Sequence, residues 1–252
     1  MNELIKNTEI PERTDPGGQS EAPCYTVLDL FSGIGGFSLG LERTGGFRTV
    51  AFCEIEAFPR RVLHKHWPDV PIFEDIKELH ATDLPEPIDV VCGGFPCQDI
   101  SSANSSGVGI DGARSGLWRE MAEIISVVRP RYAFVENSPA LAYRGLGKVL
   151  GDLAGMGMDA RWGVFSACST GAPHTRARMF ILAYSKGERP GQLRRLKCQE
   201  KINEERNLCW PSTEPPVARV ADGVAHRLDR LTAGGNGQVP AVVRLAFEAL
   251  RG

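Results

Sequence analysis

The 252-residue chain predicts an open, mostly parallel α/β sheet. Short β-branched runs, too short for helices, recur from Tyr25 onward and alternate with segments of helical apolar spacing. The loops that leave these runs collect glycines, carboxylates and a cysteine. Such sheets bind ligands beyond the carboxyl ends of their strands.

Residues 1–23 are polar, contain Pro11, Pro16, Gly17 and Gly18, and lack periodicity; they read as a disordered leader. Tyr25–Phe31 reads as a buried strand, followed by a glycine-rich turn and a helix to about Arg43. Arg48–Cys53 is a second strand and Phe58–Trp67 a second helix, with Pro59 near its start. Val70–Phe73 and Ile88–Cys92 supply two more strands, the latter broken by Gly93, Gly94 and Pro96 so that Cys97 is carried past the sheet edge. Residues 98–114 form a Ser/Gly/Asn-rich loop too long for an idle connection. Ser115 is placed to cap a helix whose Leu117, Met121, Ile124, Ile125 and Val128 fall at helical spacing. Arg131–Glu136 reads as a strand and Pro139–Met156 as one helix. Asp159–Cys168 and Arg178–Tyr184 read as a strand pair. Pro240 opens a final amphipathic helix.

At 42% hydrophobic residues the chain supports one sizeable core with a small appended lobe. A net charge of −2 advertises no global field for nucleic acid, so any such surface is local. Residues 186–206 hold seven Lys/Arg against four Asp/Glu, a local basic excess. Seven irregularly spaced cysteines make no disulfide framework and predict a reducing compartment. No metal-ligand spacing, membrane span or signal peptide is apparent, so the expectation is a cytoplasmic chain without a metal.

Four constellations carry chemistry. In Asp29-Leu-Phe-Ser-Gly-Ile-Gly-Gly36 a strand runs through glycines into a helix, which lets a ligand approach the backbone at a positive helix end. Ser38 at the third glycine position departs from the dinucleotide fingerprint. Glu54 follows the second strand, where an acidic residue grips ribose hydroxyls, and Asp75 follows the third, placed for an exocyclic amine. Together these three strand ends point to an adenosine-containing cofactor. In Phe134-Val-Glu-Asn137 a carboxylate at a buried strand end is desolvated, which raises its pKa and lets it donate a proton; a helix-capping carboxylate is the plain alternative. Arg176 and Arg178 enter a strand at alternate positions and project to one face, suited to phosphate or carbonyl recognition or to a surface ion-pair stripe. Gly234–Pro240 is a turn into the last helix.

Taken in this order, the segments resemble the cytosine-5 DNA methyltransferases from Val27 to Phe247. Asp29–Gly36 resembles the family's cofactor motif, Phe95-Pro-Cys-Gln its nucleophile motif and Glu136-Asn137 its acid motif. His174-Thr-Arg-Ala-Arg178 resembles its Gln-x-Arg-x-Arg element, and Gly235-Asn236 its final motif. The resemblance implies a Rossmann-like, S-adenosylmethionine-dependent methyltransferase fold with a small target-recognition lobe. Its parts would be a catalytic and cofactor-binding domain over 24–184, a target-recognition region over 185–228, and a returning segment over 229–252. Cys97 would attack C6 of a flipped-out cytosine in double-stranded DNA, and Glu136 would hold its amine and protonate N3. Arg178 would contact the base carbonyl or nearby backbone, with Arg176 as buttress. Phe31, Gly33, Gly35, Glu54, Ile55, Asp75, Ile76, Pro96, Leu117 and Asn236 would hold S-adenosylmethionine, and the 98–114 loop would close as a lid. The same resemblance implies a monomer of bacterial or phage type. Its short recognition region reads few bases, with an accessory specificity partner or companion restriction enzyme as possible company, and the 186–206 excess then serves phosphate contact. His174 stands where the family usually has Gln, and Ser138 where it usually has Val. Three other readings stay open: a tRNA cytosine-5 methyltransferase, whose Cys-Phe-Thr tripeptide is absent here; a non-catalytic nucleic-acid-binding relative; and a nicotinamide-dependent enzyme.

Overall fold

The computed structural model of the protein describes residues 24–96, 116–188 and 237–252. The leader and nearly all of the 185–228 region lie outside them. Within the described residues seven strands form one sheet. They are β1 (Tyr25–Leu30), β2 (Phe47–Cys53), β3 (Ile72–Phe73), β4 (Val90–Gly94), β5 (Tyr132–Asn137), β6 (Met158–Phe165) and β7 (Arg178–Ser185). Their order is β3-β2-β1-β4-β5-β7-β6. The first five are parallel, whereas β7 runs antiparallel between β5 and β6. Because β7 is reversed, its first residue lies at the edge where β1, β4 and β5 end. The chain winds outward from β1 to β3 and then crosses to β4, so the switch point falls between β1 and β4, the place where such sheets accept ligands.

Alternation along β4 and β5 divides the core. Val90, Cys92, Tyr132 and Phe134 face α1 (Gly36–Glu42) and α6 (Pro240–Arg251), packing with Phe37, Leu41, Val243 and Phe247. Val91, Ala133 and Val135 face the other way, toward α3 (Gly116–Val128) and α5 (Leu146–Gly155), through Trp118, Met121, Val149 and Leu153. Burial on both faces explains why Val90–Cys92 of β4 and Tyr132–Val135 of β5 read as continuous apolar runs. Phe134 anchors the first layer, edge-on to Phe37 with ring centroids 5.2 Å apart. The last helix thereby seals one face of the sheet.

Three expectations are corrected. Gly93 and Gly94 do not break β4 but form its last two rungs, paired with Val135 and Glu136. A Cβ on Gly93 would fall on the Leu30 carbonyl, so glycine is required by the neighbouring strand rather than by a turn. The segment 139–156 is two helices, α4 (Leu141–Arg144) and α5, separated at Gly145. The third strand is only Ile72–Phe73, since pairing with β2 stops there. α2 covers Ala57–His66. Among the described residues no helix is long and apolar enough to cross a membrane, no cluster of His, Cys, Asp and Glu is suited to a metal, and Cys24, Cys53, Cys92 and Cys168 form no disulfide.

Candidate active site

Two groups of predicted residues meet the carboxyl edge of the sheet. The first surrounds the turn from β1 into α1. Phe31 and Gly33 both have φ +53° and Gly35 has φ +83°, so the chain reverses through left-handed residues at alternate positions. Such a concave backbone presents amide groups to a ligand. A Cβ on Gly33 would meet nothing within 4 Å, whereas one on Gly35 would fall 2.6 Å from the Trp67 ring. Gly33 is therefore open to an incoming group, and Gly35 is glycine for packing as well as for its φ.

Glu54 closes this turn. Its Oε2 accepts from Gly33 N at 2.7 Å and its Oε1 from Glu56 N at 2.8 Å. The carboxylate is thus oriented by backbone donors while each oxygen keeps a lone pair for a ligand hydroxyl. Ile55 follows with 65% of its surface exposed, an apolar side chain left uncovered beside that carboxylate. Asp75 is half-buried, its Oδ1 accepting from Lys77 N at 3.0 Å. Ile76 packs into the core, and Leu117 in the first turn of α3 leans on the same cluster, so Ile76 offers the edge only its backbone. Pro96 is half-buried just past β4. Cys97 and Asn236 lie outside the described residues.

Beneath the turn sits a buried carboxyl absent from the expected site. Asp29 accepts from Ser38 N at 3.2 Å and Ser38 Oγ at 2.7 Å, tying the middle of β1 to the first turn of α1. Desolvation raises its pKa to about 7, partly offset by the Ser38 bonds. Ser38, the departure from the glycine fingerprint, is thereby explained: its hydroxyl serves Asp29.

The second group forms a cleft lined by Glu136, Arg176, Arg178, Phe180, Gln238, Val239 and Val242. Register brings them together. Glu136 lies opposite Phe180, so Arg178, two residues earlier on β7, is its diagonal neighbour on the same face. Arg178 Nε donates to Glu136 Oε1 at 2.9 Å. Arg176, with φ +26° just before β7, donates instead to the Gly237 carbonyl at 2.8 Å. In this arrangement Arg178 braces the acid and Arg176 holds the last segment. Glu136 is only 8% exposed. Desolvation raises its pKa, and Arg178, Arg176 and a hydrogen bond from Gln238 oppose the rise. Burial also lowers the pKa of Arg176, with Arg178 adding to the shift. A buried carboxyl poised toward its neutral form, among cations, is the arrangement of an acid that gives up a proton on demand.

The adjoining ends of β4 and β5 are joined by Asn137, whose Nδ2 donates to the Phe95 carbonyl at 3.0 Å. Asn137, quoted only as part of the acid motif, and Gln238, inside the Gly234–Pro240 turn, were given no role in the expected site. A buried amide directly after the acid is a signal for the first; no local signal marks the second.

Comparison with known proteins adds the following. Residues 25–224 match the family C-5 cytosine-specific DNA methylase. The type II methyltransferase M.CviJI of Paramecium bursaria Chlorella virus IL3A is 31% identical over 90% of this chain and 59% of its own length. M2.BsuMI of Bacillus subtilis is 38% identical over 62% of this chain and 41% of its own. The chain thus spans about half the length of the relatives it matches. Among solved structures, a protein assigned as a DNA modification methyltransferase, encoded within an Escherichia coli prophage, superposes with TM-score 0.54 at 28% identity. That superposition covers 64% of this chain and 47% of the other.

Proposed function

The chain belongs to the C-5 cytosine-specific DNA methylases, and from that premise we propose that it methylates C5 of cytosine in double-stranded DNA through a covalent Cys97–C6 bond. The observation that carries this reading is Glu136, buried, with its pKa raised by desolvation and its carboxyl braced by Arg178. It lies at the end of β5, beside the strand whose continuation reaches Cys97.

C6 is out of reach in a stacked duplex, so the target base is flipped into the cleft. The Cys97 thiolate adds to C6, its electron pair forming the S–C6 bond while the C5=C6 pair becomes available at C5. Glu136 hydrogen-bonds the exocyclic amine and delivers its proton to N3, neutralising the charge that develops on the ring. S-adenosylmethionine, when bound, supplies the electrophilic methyl group. Once C5 carries that methyl, loss of the C5 proton to a base re-forms C5=C6 and expels Cys97 as the thiolate, and N3 returns its proton to the Glu136 carboxylate. Arg178 keeps the Glu136 carboxyl aimed, and Arg176 keeps the final segment against the cleft.

The turn at Phe31, Gly33 and Gly35 fits the donor's methionine end, because its left-handed backbone leaves Gly33 unobstructed. Glu54 is assigned to the ribose, the exposed Ile55 to one face of the adenine and Asp75 to its amine. Ile76, Pro96, Leu117 and Asn236 complete the pocket in this reading. The region 185–228 is assigned to target recognition and 229–252 to the return onto the catalytic domain 24–184.

Bisulfite sequencing of DNA from a methylation-free bacterial host expressing the chain tests the reading, with Cys97→Ser beside it. Protected cytosines in a recurring context, lost with Cys97→Ser, are expected. Equal conversion in both samples would overturn it.

A further inference from the structure

Gln238 sits between Gly237 and α6, at the foot of the cleft. We propose that Gln238 is a positioning residue for Glu136: its side-chain amide and the Arg178 guanidinium together fix the carboxyl in the orientation that meets the base. The inference rests on the reading of Glu136 given above.

Donors reach the carboxyl from two elements. Arg178 Nε on β7 holds Oε1 at 2.9 Å, and the Gln238 amide adds a second hydrogen bond from the segment before α6. A carboxyl held from two sides has lost the χ freedom that would let it swing out of line. Gly94 makes room for this contact. A Cβ there would fall on Glu136 Oε2 and 2.6 Å from Gln238 Nε2, so any side chain at the end of β4 would stand where the carboxyl and the amide converge.

The orientation of the amide is dictated by Glu136. Gln238 Oε1 is buried and accepts no hydrogen bond among the described residues. A buried acceptor without a donor is unfavourable and calls for a cause. Turning the amide over would bring that oxygen against the Glu136 carboxylate. The orphaned carbonyl is therefore the cost of aiming Nε2 at the acid.

The root of the side chain is fixed as well. The Gln238 main-chain carbonyl packs so closely on Gly36, the first residue of α1, that a Cβ on Gly36 would fall on it. Arg176 holds the adjoining Gly237 carbonyl at 2.8 Å. Gln238 thus spans from the helix that opens the cofactor turn to the acid of the cleft. Among the described residues, the charged and titratable groups facing Glu136 are Arg178 on β7 and Arg176 just before it; Gly94 on β4 and Gln238 before α6 bring none.

The test uses the full chain with ¹³C-labelled glutamate δ-carbons, titrated by NMR, with Glu136→Gln to assign the Glu136 signal. Gln238→Met removes the donor at similar length. A hydrogen bond to the charged form is lost, so the Glu136 midpoint should move up by about half a pH unit or more. In single-turnover methyl transfer kcat should fall about 10–100-fold while the KM for DNA stays within about 3-fold. A Glu136 titration and a kcat both unchanged in folded Gln238→Met would overturn the inference. Gln238→Leu, which also lacks the donor but keeps a branched side chain of similar bulk, should give the same upward shift and serves if Gln238→Met does not fold. A moved titration in a chain whose unsubstituted form transfers no methyl would support the contact and overturn only the reading it rests on.

Discussion

Asn137 Nδ2 donates to the Phe95 carbonyl at 3.0 Å, so the residue that ends β5 grips the backbone two positions before Cys97. Its Oδ1 in turn accepts from Ser138 N at 2.8 Å. One side chain thereby fixes both the start of the segment that follows the acid and the approach to the thiol. Asn137→Ala leaves a buried carbonyl without its donor, at a cost of about 1–3 kcal/mol. At about 2–4 °C per kcal/mol for a chain of this size, a thermal melt should register it. The single-turnover methyl-transfer rate should fall more than DNA affinity does, because the loss falls on alignment. Equal losses in both would remove the argument for a positioning role.

Gly36→Ala tests how the last helix is seated. The new methyl would strike the Gln238 main-chain carbonyl, and a backbone atom cannot escape by changing rotamer. Overpacking of this kind costs about 1–3 kcal/mol. The melting temperature should drop, and amide hydrogen exchange in α6 should accelerate ahead of β1 and β4. Protection in α6 equal to that of the unsubstituted chain would show that the contact is relieved elsewhere.

The strands of the sheet were legible because burial on both faces leaves runs such as Val90–Cys92 and Tyr132–Val135 with no polar interruption. The helices were legible from spacing, as at Leu117, Met121 and Ile124. What stayed hidden was set by partners distant in sequence. Gly93 and Gly94 read as strand breakers, yet Leu30 and Glu136 demand glycine there. Ser38 read as a defect in a glycine fingerprint until Asp29 supplied its reason. Gln238 carries no local pattern at all, since its meaning comes from Glu136. The residues of the turn and of the acid segment were legible as motifs, but the pairing of Arg178 with Glu136 follows from strand register.

Asp29 should make stability depend on pH. Its pKa is raised from 3.8 to about 7, so between those values the folded chain keeps a proton that the unfolded chain releases. Stability then falls as pH rises from about 4 to about 7, by on the order of a few kcal/mol. Asp29→Asn does not titrate and can still accept from Ser38. Urea midpoints across this range should therefore slope less in Asp29→Asn. Any slope left with the same sign belongs partly to Glu136, whose pKa is also raised. Identical slopes in both proteins would mean that Asp29 is ionised when folded.

The order of bond changes proposed at the base makes a last demand on the chain. Cys97 leaves only when C5 loses its hydrogen as a proton, because the electrons of the C5–H bond re-form C5=C6. A fluorine at C5 cannot depart as a cation, so addition and methyl transfer proceed but elimination stops. DNA carrying 5-fluorocytosine at the target, with S-adenosylmethionine present, should therefore form a complex that survives denaturing electrophoresis. Cys97→Ser should form none. Glu136→Gln should form it about 10²–10⁴-fold more slowly, the usual contribution of a general acid. A complex that dissociates on denaturation, from an enzyme that methylates ordinary cytosine, would rule out the covalent step and leave Cys97 another role.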